Sequence, residues 1–156
     1  MSVMIFTNIY SKGCYPANKL SNFAENAFVF DCVPAVSMES LLQSLKFPEK
    51  DRQREVCLLS AKEAKSVGSA QKWGSYLFWN GIAYRRKGRE YYCLLSRAYR
   101  EMAMQNDDFR KALNASAPIL IHTIGKLRRN QTCLTSWEFC FILSRLKRQL
   151  LNKKKG

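Results

Sequence analysis

A chain of 156 residues that is 47% apolar and 12% aromatic can build one hydrophobic core but not two, and this composition excludes a disordered chain. No apolar run approaches the roughly 20 residues that cross a bilayer, and the start, MSVMIFTNIY, lacks the basic segment and cleavage site of a signal peptide. A cytoplasmic protein with no membrane partner is expected. The net charge of +14, from 26 Lys and Arg against 12 Asp and Glu, favours phosphate-bearing partners, either a nucleotide or a nucleic acid.

Residues 3–10 (VMIFTNIY) are apolar and β-branched and predict a strand. Residues 11–26 carry Gly13, Pro16, Asn18, Asn22 and Asn26 and read as loop. Residues 27–33 (AFVFDCV) predict a second strand, stopped by Pro34. The period then changes. Met38, Leu41, Leu42 and Leu45 follow i, i+3, i+4, i+7, which is a helix with one buried stripe. Ser37 suits its N-cap, and Pro48 ends it because the residue before a proline avoids the α region.

A charged helix is predicted over 48–58, with Pro48 in its first turn, and a shorter one over 60–67, stopped by Gly68. Residues 75–86 (SYLFWNGIAYRR) predict a hairpin about an Asn80-Gly81 turn. Helices follow from about Glu90 to Gln105 and from Asn106 to about Ala115. Residues 118–124 (PILIHTI) read as a buried strand, and Thr135 with Glu138 forms a capping box for a last helix over 136–151. The expected fold class is α+β: a single compact domain over 1–151, mostly helical with a small β-sheet, and a basic flexible tail over 152–156.

Several residues have plain structural readings. The scattered cysteines, Cys14, Cys32, Cys57, Cys93, Cys133 and Cys140, form no C-x-x-C pair and read mainly as free, buried thiols. With His122 as the sole histidine, no metal site is expected. His122 itself lies in an apolar run and reads as a satisfied core histidine. Trp137, Phe139, Phe141, Ile142 and Leu146 read as core for the last helix, and Tyr91, Tyr92, Leu95 and Tyr99 as one packed helical face. The cluster Arg85, Arg86, Lys87 and Arg89 reads as a solvated loop beside a turn.

The candidate for chemistry is the Ser37 helix. Glu39, Gln43 and Lys46 stand at i, i+4, i+7 and share a face, turned by roughly 115° from the leucine stripe at 100° per residue. A carboxylate, an amide and an ammonium on one face make a small polar site, although an ordinary solvated face has the same spacing.

The stretch from Leu20 to Phe47 resembles the NADAR (YbiA-like) family. Ser21-Asn22-Phe23 matches its S-N-F loop, Ser37-Met38-Glu39 its S/T-x-E helix start, and Gln43 through Phe47 its Q-x-x-K-F ending. Ala61 to Gly68, Trp79, the helix ending in Met102, and Asn106 through Ala112 follow in family order. The C-terminal part departs. Ile121 through Lys126 replaces the usual Trp-Gly-Asp-type motif, no matching Asp follows Asp108, and the chain reads as a divergent branch.

The resemblance implies cleavage of an N-glycosidic bond between a ribose, or ADP-ribose, and a base or amine, with no cofactor. It implies Glu39 as the catalytic carboxylate, and Ser21, Asn22, Phe23, Gln43, Lys46, Trp79 and Lys126 as substrate-binding residues. Phe23 or Trp79 would stack on the base, and Lys46 or Lys126 would hold a phosphate. The alternative is a module without turnover that binds ADP-ribose, a nucleotide or nucleic acid through its basic surface.

Overall fold

The seven-residue helix that follows Ser37 exposes none of its side chains, and the other elements are arranged to cover it. The computed structural model describes residues 5–153. In chain order the elements are β1 (Phe6–Asn8), α1 (Ala17–Leu20), β2 (Phe28–Phe30), β3 (Val33–Ala35), α2 (Met38–Ser44), α3 (Lys50–Cys57) and α4 (Ala61–Ala70). Then come β4 (Tyr76–Trp79), β5 (Ile82–Arg85), α5 (Arg89–Gln105), α6 (Asp107–Ala115), β6 (Ile119–Ile121), a 3₁₀ turn (Arg129–Gln131) and α7 (Ser136–Lys153). The class is α+β and mostly helical, as the periodicity predicts. Among the described residues the strands form three separate two-stranded ladders rather than one small sheet. No helix of the described residues is long and apolar enough to cross a membrane.

α2 packs on α3 and α4. Met38, Leu41, Leu42 and Leu45 are buried as the predicted stripe. Ser37 caps the helix, accepting from the Ser40 N–H at 3.1 Å. At the other end the Leu45 carbonyl accepts from the Phe78 N–H at 2.8 Å, so β4 satisfies a helix terminus that water does not reach. The helix is shorter than 37–47: after Ser44 the chain tightens into i→i−3 turns, Lys46 to Gln43 at 3.2 Å and Phe47 to Ser44 at 3.1 Å. α3 starts two residues after Pro48, behind Glu49.

Five sequence expectations are corrected in turn. Residues 27–33 are not one strand: Asp31 and Cys32 take positive φ of 47° and 66°, the two-residue turn that reverses a hairpin, and β2 pairs antiparallel with β3. Pro34 sits within β3 as an exposed edge residue instead of stopping a strand. Gly68 does not stop α4, which runs on to Ala70. A Cβ at Gly68 would overlap the Gln43 side-chain amide, so the glycine serves close approach of α4 to α2. Finally, the loop over 11–26 contains the short helix α1, and β6 is only Ile119–Ile121, with Leu120 its one buried member.

The Asn80-Gly81 turn is as predicted, with φ of 54° and 88°, and joins β4 to β5. β4 alternates inward and outward, which sends Leu77 and Trp79 into the core. Trp79 stacks on Phe30 with centroids 5.4 Å apart and donates its indole N–H to Asp31 at 2.8 Å. Asp31 also takes a bidentate pair from Arg97, at 2.6 and 2.9 Å. The Arg97 hydrogen bonds hold the Asp31 carboxyl below its ordinary range against the opposing effect of burial. Trp79 therefore locks the two hairpins to α5.

α5 buries Tyr91, Leu95 and Tyr99 as expected, while Tyr92 is half-buried. In α7, Phe139, Ile142 and Leu146 are core, but Trp137 and Phe141 are exposed at 47% and 53%. Trp137 lies under the Arg129 guanidinium instead, at 4.9 Å. α7 continues through Asn152 and Lys153, and 154–156 lie outside the described residues, as do 3 and 4 of the first predicted strand. Among the thiols only Cys57 and Cys133 are buried; Cys14, Cys32 and Cys93 are exposed and Cys140 is half-buried.

The Arg85–Arg89 cluster is not uniformly solvated. Arg86 is 3% exposed and forms a bidentate pair with Glu138, at 3.0 and 2.6 Å. Its Nε donates to the Thr132 carbonyl at 2.8 Å, and its guanidinium lies over Tyr91 at 5.1 Å. The predicted capping box is present, with the Thr135 N–H on Glu138 at 2.9 Å and the Glu138 N–H on Thr135 Oγ1 at 3.3 Å. Burial works to raise the Glu138 carboxyl; the Arg86 and Thr135 hydrogen bonds outweigh it and hold it below its ordinary 4.5.

Two outcomes follow from these contacts. Removing the Glu138 charge strands a buried guanidinium, so Glu138→Gln is expected to lose about 3–5 kcal/mol of unfolding free energy at neutral pH. Because a depressed carboxyl stabilises above its unfolded value and loses that contribution as pH falls through the folded one, the gap to wild type closes in acid, below about 4.5. Denaturant titrations at pH 7 and pH 3 that show a constant gap would contradict this linkage. At position 68, alanine has the better helix propensity by about 1 kcal/mol, yet Gly68→Ala is expected to destabilise by roughly 1–3 kcal/mol through overpacking. A double-mutant cycle with Gln43→Ala should show strong coupling, and a higher unfolding midpoint for Gly68→Ala alone would refute the close-contact account.

Candidate active site

The polar side chains of α2 border a cleft of about 490 Å³. One side is built by α2 and α4, through Glu39, Gln43, Lys46, Lys65 and Gly68. Another is built by the segment after β6, through His122, Gly125, Lys126 and residues 132–135. Ser21, Asn22 and Phe23 line it from the loop after α1, and Phe139 and Leu42 supply apolar surface.

Glu39 is 6% exposed. Its Oε1 accepts from Gln43 Nε2 at 2.7 Å and lies 3.8 Å from Lys65 Nζ. A buried carboxylate needs such partners, since an unpaired one would be costly. Gln43 is 4% exposed, and its own Oε1 is buried beside Gly68 without a hydrogen-bond partner. The Glu39 N–H donates to the Asn22 carbonyl at 3.0 Å, which ties the S-N-F loop to the first turn of α2. The Asn22 side chain is set in turn by the Tyr99 hydroxyl, which donates to Oδ1 at 2.6 Å. Burial holds the Tyr99 phenol well above its ordinary value, so it stays a donor. The Ser21 hydroxyl accepts from the Phe23 N–H at 3.2 Å, a local turn that leaves the Phe23 ring 41% exposed at the cleft.

Lys46 is half-buried and donates to the Gly68 carbonyl at 3.1 Å. Burial lowers its pKa, and the neighbouring Lys65 and Lys126 act in the same direction against the pull of Glu39. Lys126 is exposed, with Nζ 3.5 Å from the Gln131 carbonyl. The cleft thus holds one carboxylate and three ammonium groups among its described lining residues. Such a balance of charge suits an anionic ligand.

Of the residues expected at the site, Glu39, Ser21, Asn22, Phe23, Gln43, Lys46 and Lys126 all line this one cleft. Trp79 does not: it is 2% exposed and committed to Phe30 and Asp31. The tryptophan at the cleft is Trp73, half-buried in the segment after α4. Lys65 and His122 also line it. Lys65 stands one turn before Ser69 on a helix whose cleft-facing side only Gly68 betrays, and no sequence signal singled it out. His122 is held as a core histidine would be, with Nδ1 on the Ile9 carbonyl at 2.8 Å and its ring edge-on to Phe139 at 5.3 Å, yet it also reaches the cleft. Because a carbonyl only accepts, Nδ1–H is the donor in that contact. Cys133 lines the cleft as a neutral thiol, pushed up to about 11 by burial.

Comparison with known proteins gives the chain's family and fold. A family model described as bacteriophage protein GP30.3 matches residues 14–148. An uncharacterized 17.1 kDa protein from the Gp30–rIII intergenic region of Enterobacteria phage T4 is 37% identical over 142 residues, spanning 87% of this chain and 93% of that protein. The NMR structure of the E. coli protein YbiA superposes with a TM-score of 0.70 at 20% identity, covering 100% of this chain and 90% of YbiA. At that identity the likeness to YbiA is one of fold. The chain belongs to the bacteriophage protein GP30.3 family and carries that family's sequence on a YbiA-like fold.

Proposed function

We propose that the chain is an N-glycosidase-type hydrolase acting on a ribose or ADP-ribose joined to a base or amine, as the NADAR resemblance implies. The observation that carries this reading is Glu39: a buried carboxylate, oriented by Gln43 and open to a cleft that also holds Lys46, Lys65 and Lys126. A cleft of about 490 Å³ suits a nucleoside-sized group.

Hydrolysis of this bond passes through an oxocarbenium-like state. The bond from sugar C1′ to the base nitrogen breaks, its electron pair leaves with the base, and water adds at C1′ with loss of a proton. Glu39 stabilises the positive charge that develops on the sugar and accepts the proton of the attacking water. Glu39 is the one carboxylate among the described lining residues, which favours leaving groups that already delocalise charge, such as a heteroaromatic base. Asn22 and Gln43 orient the sugar, Ser21 shapes the loop that carries Asn22, Phe23 offers a ring face for stacking, and Lys46 and Lys126 hold phosphate. Trp79 has no role at the site. A second reading, binding without turnover, draws support from the same lone carboxylate.

Glu39→Gln keeps the size of the side chain and an acceptor for Gln43, so the variant should remain folded while its turnover of ADP-ribosylated guanosine falls by about 10²–10⁴-fold. Mass spectrometry of released base reads this directly; undiminished release by the variant would sink the mechanism, and tight binding without release by wild type would establish the second reading. Lys46→Met is expected to raise KM for a phosphate-bearing substrate by roughly tenfold or more, the worth of one charge-assisted hydrogen bond, with kcat less affected. Because burial lowers the Lys46 pKa, affinity for that substrate falls with rising pH at values below the ordinary 10.5. An alkaline KM profile identical in wild type and Lys46→Met would show that another group holds the phosphate.

A further inference from the structure

We propose that a second groove, between α5 and α7, binds single-stranded nucleic acid. The groove encloses about 970 Å³ and shares no lining residue with the Glu39 cleft. Its charged lining is Arg89, Arg97, Arg100 and Arg145 against a single carboxylate, Glu90. Arg97 is neutralised by Asp31. Arg89, Arg100 and Arg145 are exposed, and among the described residues none pairs with a carboxylate.

The placement of these charges points to an extended polyanion. At 100° per residue, Arg89 and Arg100 fall within about 20° of one another on α5 and stand roughly 16 Å apart along its axis. The core-facing Tyr91, Leu95, Ala98 and Met102 occupy the opposite side of the helix. The arginines therefore form a row, with Arg145 of α7 adding charge from the facing helix, rather than a cup for one phosphate. Each guanidinium presents a planar fork suited to phosphate oxygens. Tyr84 and Tyr92 also line the groove, half-buried and packed against the core, so aromatic surface is held next to the charged row. Phosphate-binding cations beside fixed aromatic rings are the requirements for binding an unpaired strand without sequence preference. A concave groove also suits a strand better than a flat bilayer surface. This site is independent of turnover at Glu39.

The test is fluorescence polarisation of a labelled oligothymidylate of about twelve nucleotides, within the roughly 4–16 nucleotides that single-strand sites cover, titrated with the full chain over a range of salt. Wild type should bind, and Arg100→Gln with Arg145→Gln should weaken binding at least tenfold. The slope of log affinity against log salt should then fall by about 1.4, which is roughly 0.7 for each lost phosphate contact. Lys62→Gln with Lys72→Gln removes the same net charge from exposed positions outside both lining sets and should leave affinity within about twofold. The groove is overturned if wild type does not bind, if the arginine pair binds like wild type, or if the lysine pair weakens binding as much as the arginine pair. Base release is read separately, so failure here and failure at the cleft are distinguishable.

Discussion

All seven side chains of α2 are buried, and this constraint governs the rest of the molecule. A helix with an ordinary wet face leaves its polar residues to solvent. Here the polar groups of Glu39, Ser40, Gln43 and Ser44 are enclosed, where an unmade hydrogen bond costs about 1–3 kcal/mol, and of their buried atoms Gln43 Oε1 alone lacks a partner. Ser40 donates to the Leu59 carbonyl at 2.7 Å and Ser44 to the Leu41 carbonyl at 2.6 Å, so two of the four are absorbed by backbone. Gln43 turns its amide N–H to Glu39, and Glu39 turns to the cleft. The site is thus the part of the α2 surface that packing leaves open, bordered by α4 at the distance that Gly68 permits.

The other side of the cleft rests on different physics. Residues 122–135 hold one 3₁₀ turn as their only regular element, too little structure to be rigid alone. They are fixed by groups reaching in from elsewhere: the Arg86 guanidinium on Thr132, the Tyr91 hydroxyl on the Cys133 carbonyl at 2.6 Å, and the Ser136 hydroxyl on the His122 carbonyl at 2.8 Å. Gly125 is needed in this bend because a Cβ there would overlap Ser136 Oγ and come within 2.6 Å of the His122 ring. The charge of Glu138 holds Arg86 in place, so a capping box at the start of α7 also anchors the cleft.

Much of this was legible in the sequence where a local rule acts alone. The leucine stripe of α2, the Ser37 cap, the Asn80-Gly81 turn and the Thr135–Glu138 box depend on neighbours a few residues apart, and each formed as read. The grouping of Glu39, Gln43 and Lys46 was legible for the same reason. Readings failed where a distant partner decides. Gly68 looked like a helix stop because Gln43, twenty-five positions earlier, is invisible to propensity. Arg86 looked solvated because Glu138 is 52 residues away. Trp79 looked like a ring for stacking because the β4 pleat and Asp31 are needed to see it as core. The Asp31-Cys32 turn lacked the glycine that marks most such turns, and Pro34 supplied a stronger but misleading signal.

The wall built by 122–135 is gripped chiefly through its carbonyl oxygens: those of His122, Lys126, Thr132 and Cys133 all accept from groups outside the loop's own turns. Every amino acid carries that oxygen. Exposed side chains along this wall, such as Lys126, can therefore be exchanged without loosening these bonds, whereas Gly125, whose bend admits no Cβ, and His122, Thr123 and Thr135, whose side chains bond Ile9, Asn8 and Glu138, cannot. Stability and ligand preference are in this way assigned to separate atoms of the same residues. A lineage using this fold can retune what the cleft accepts one side chain at a time, while the carboxylate on α2 stays where packing has put it.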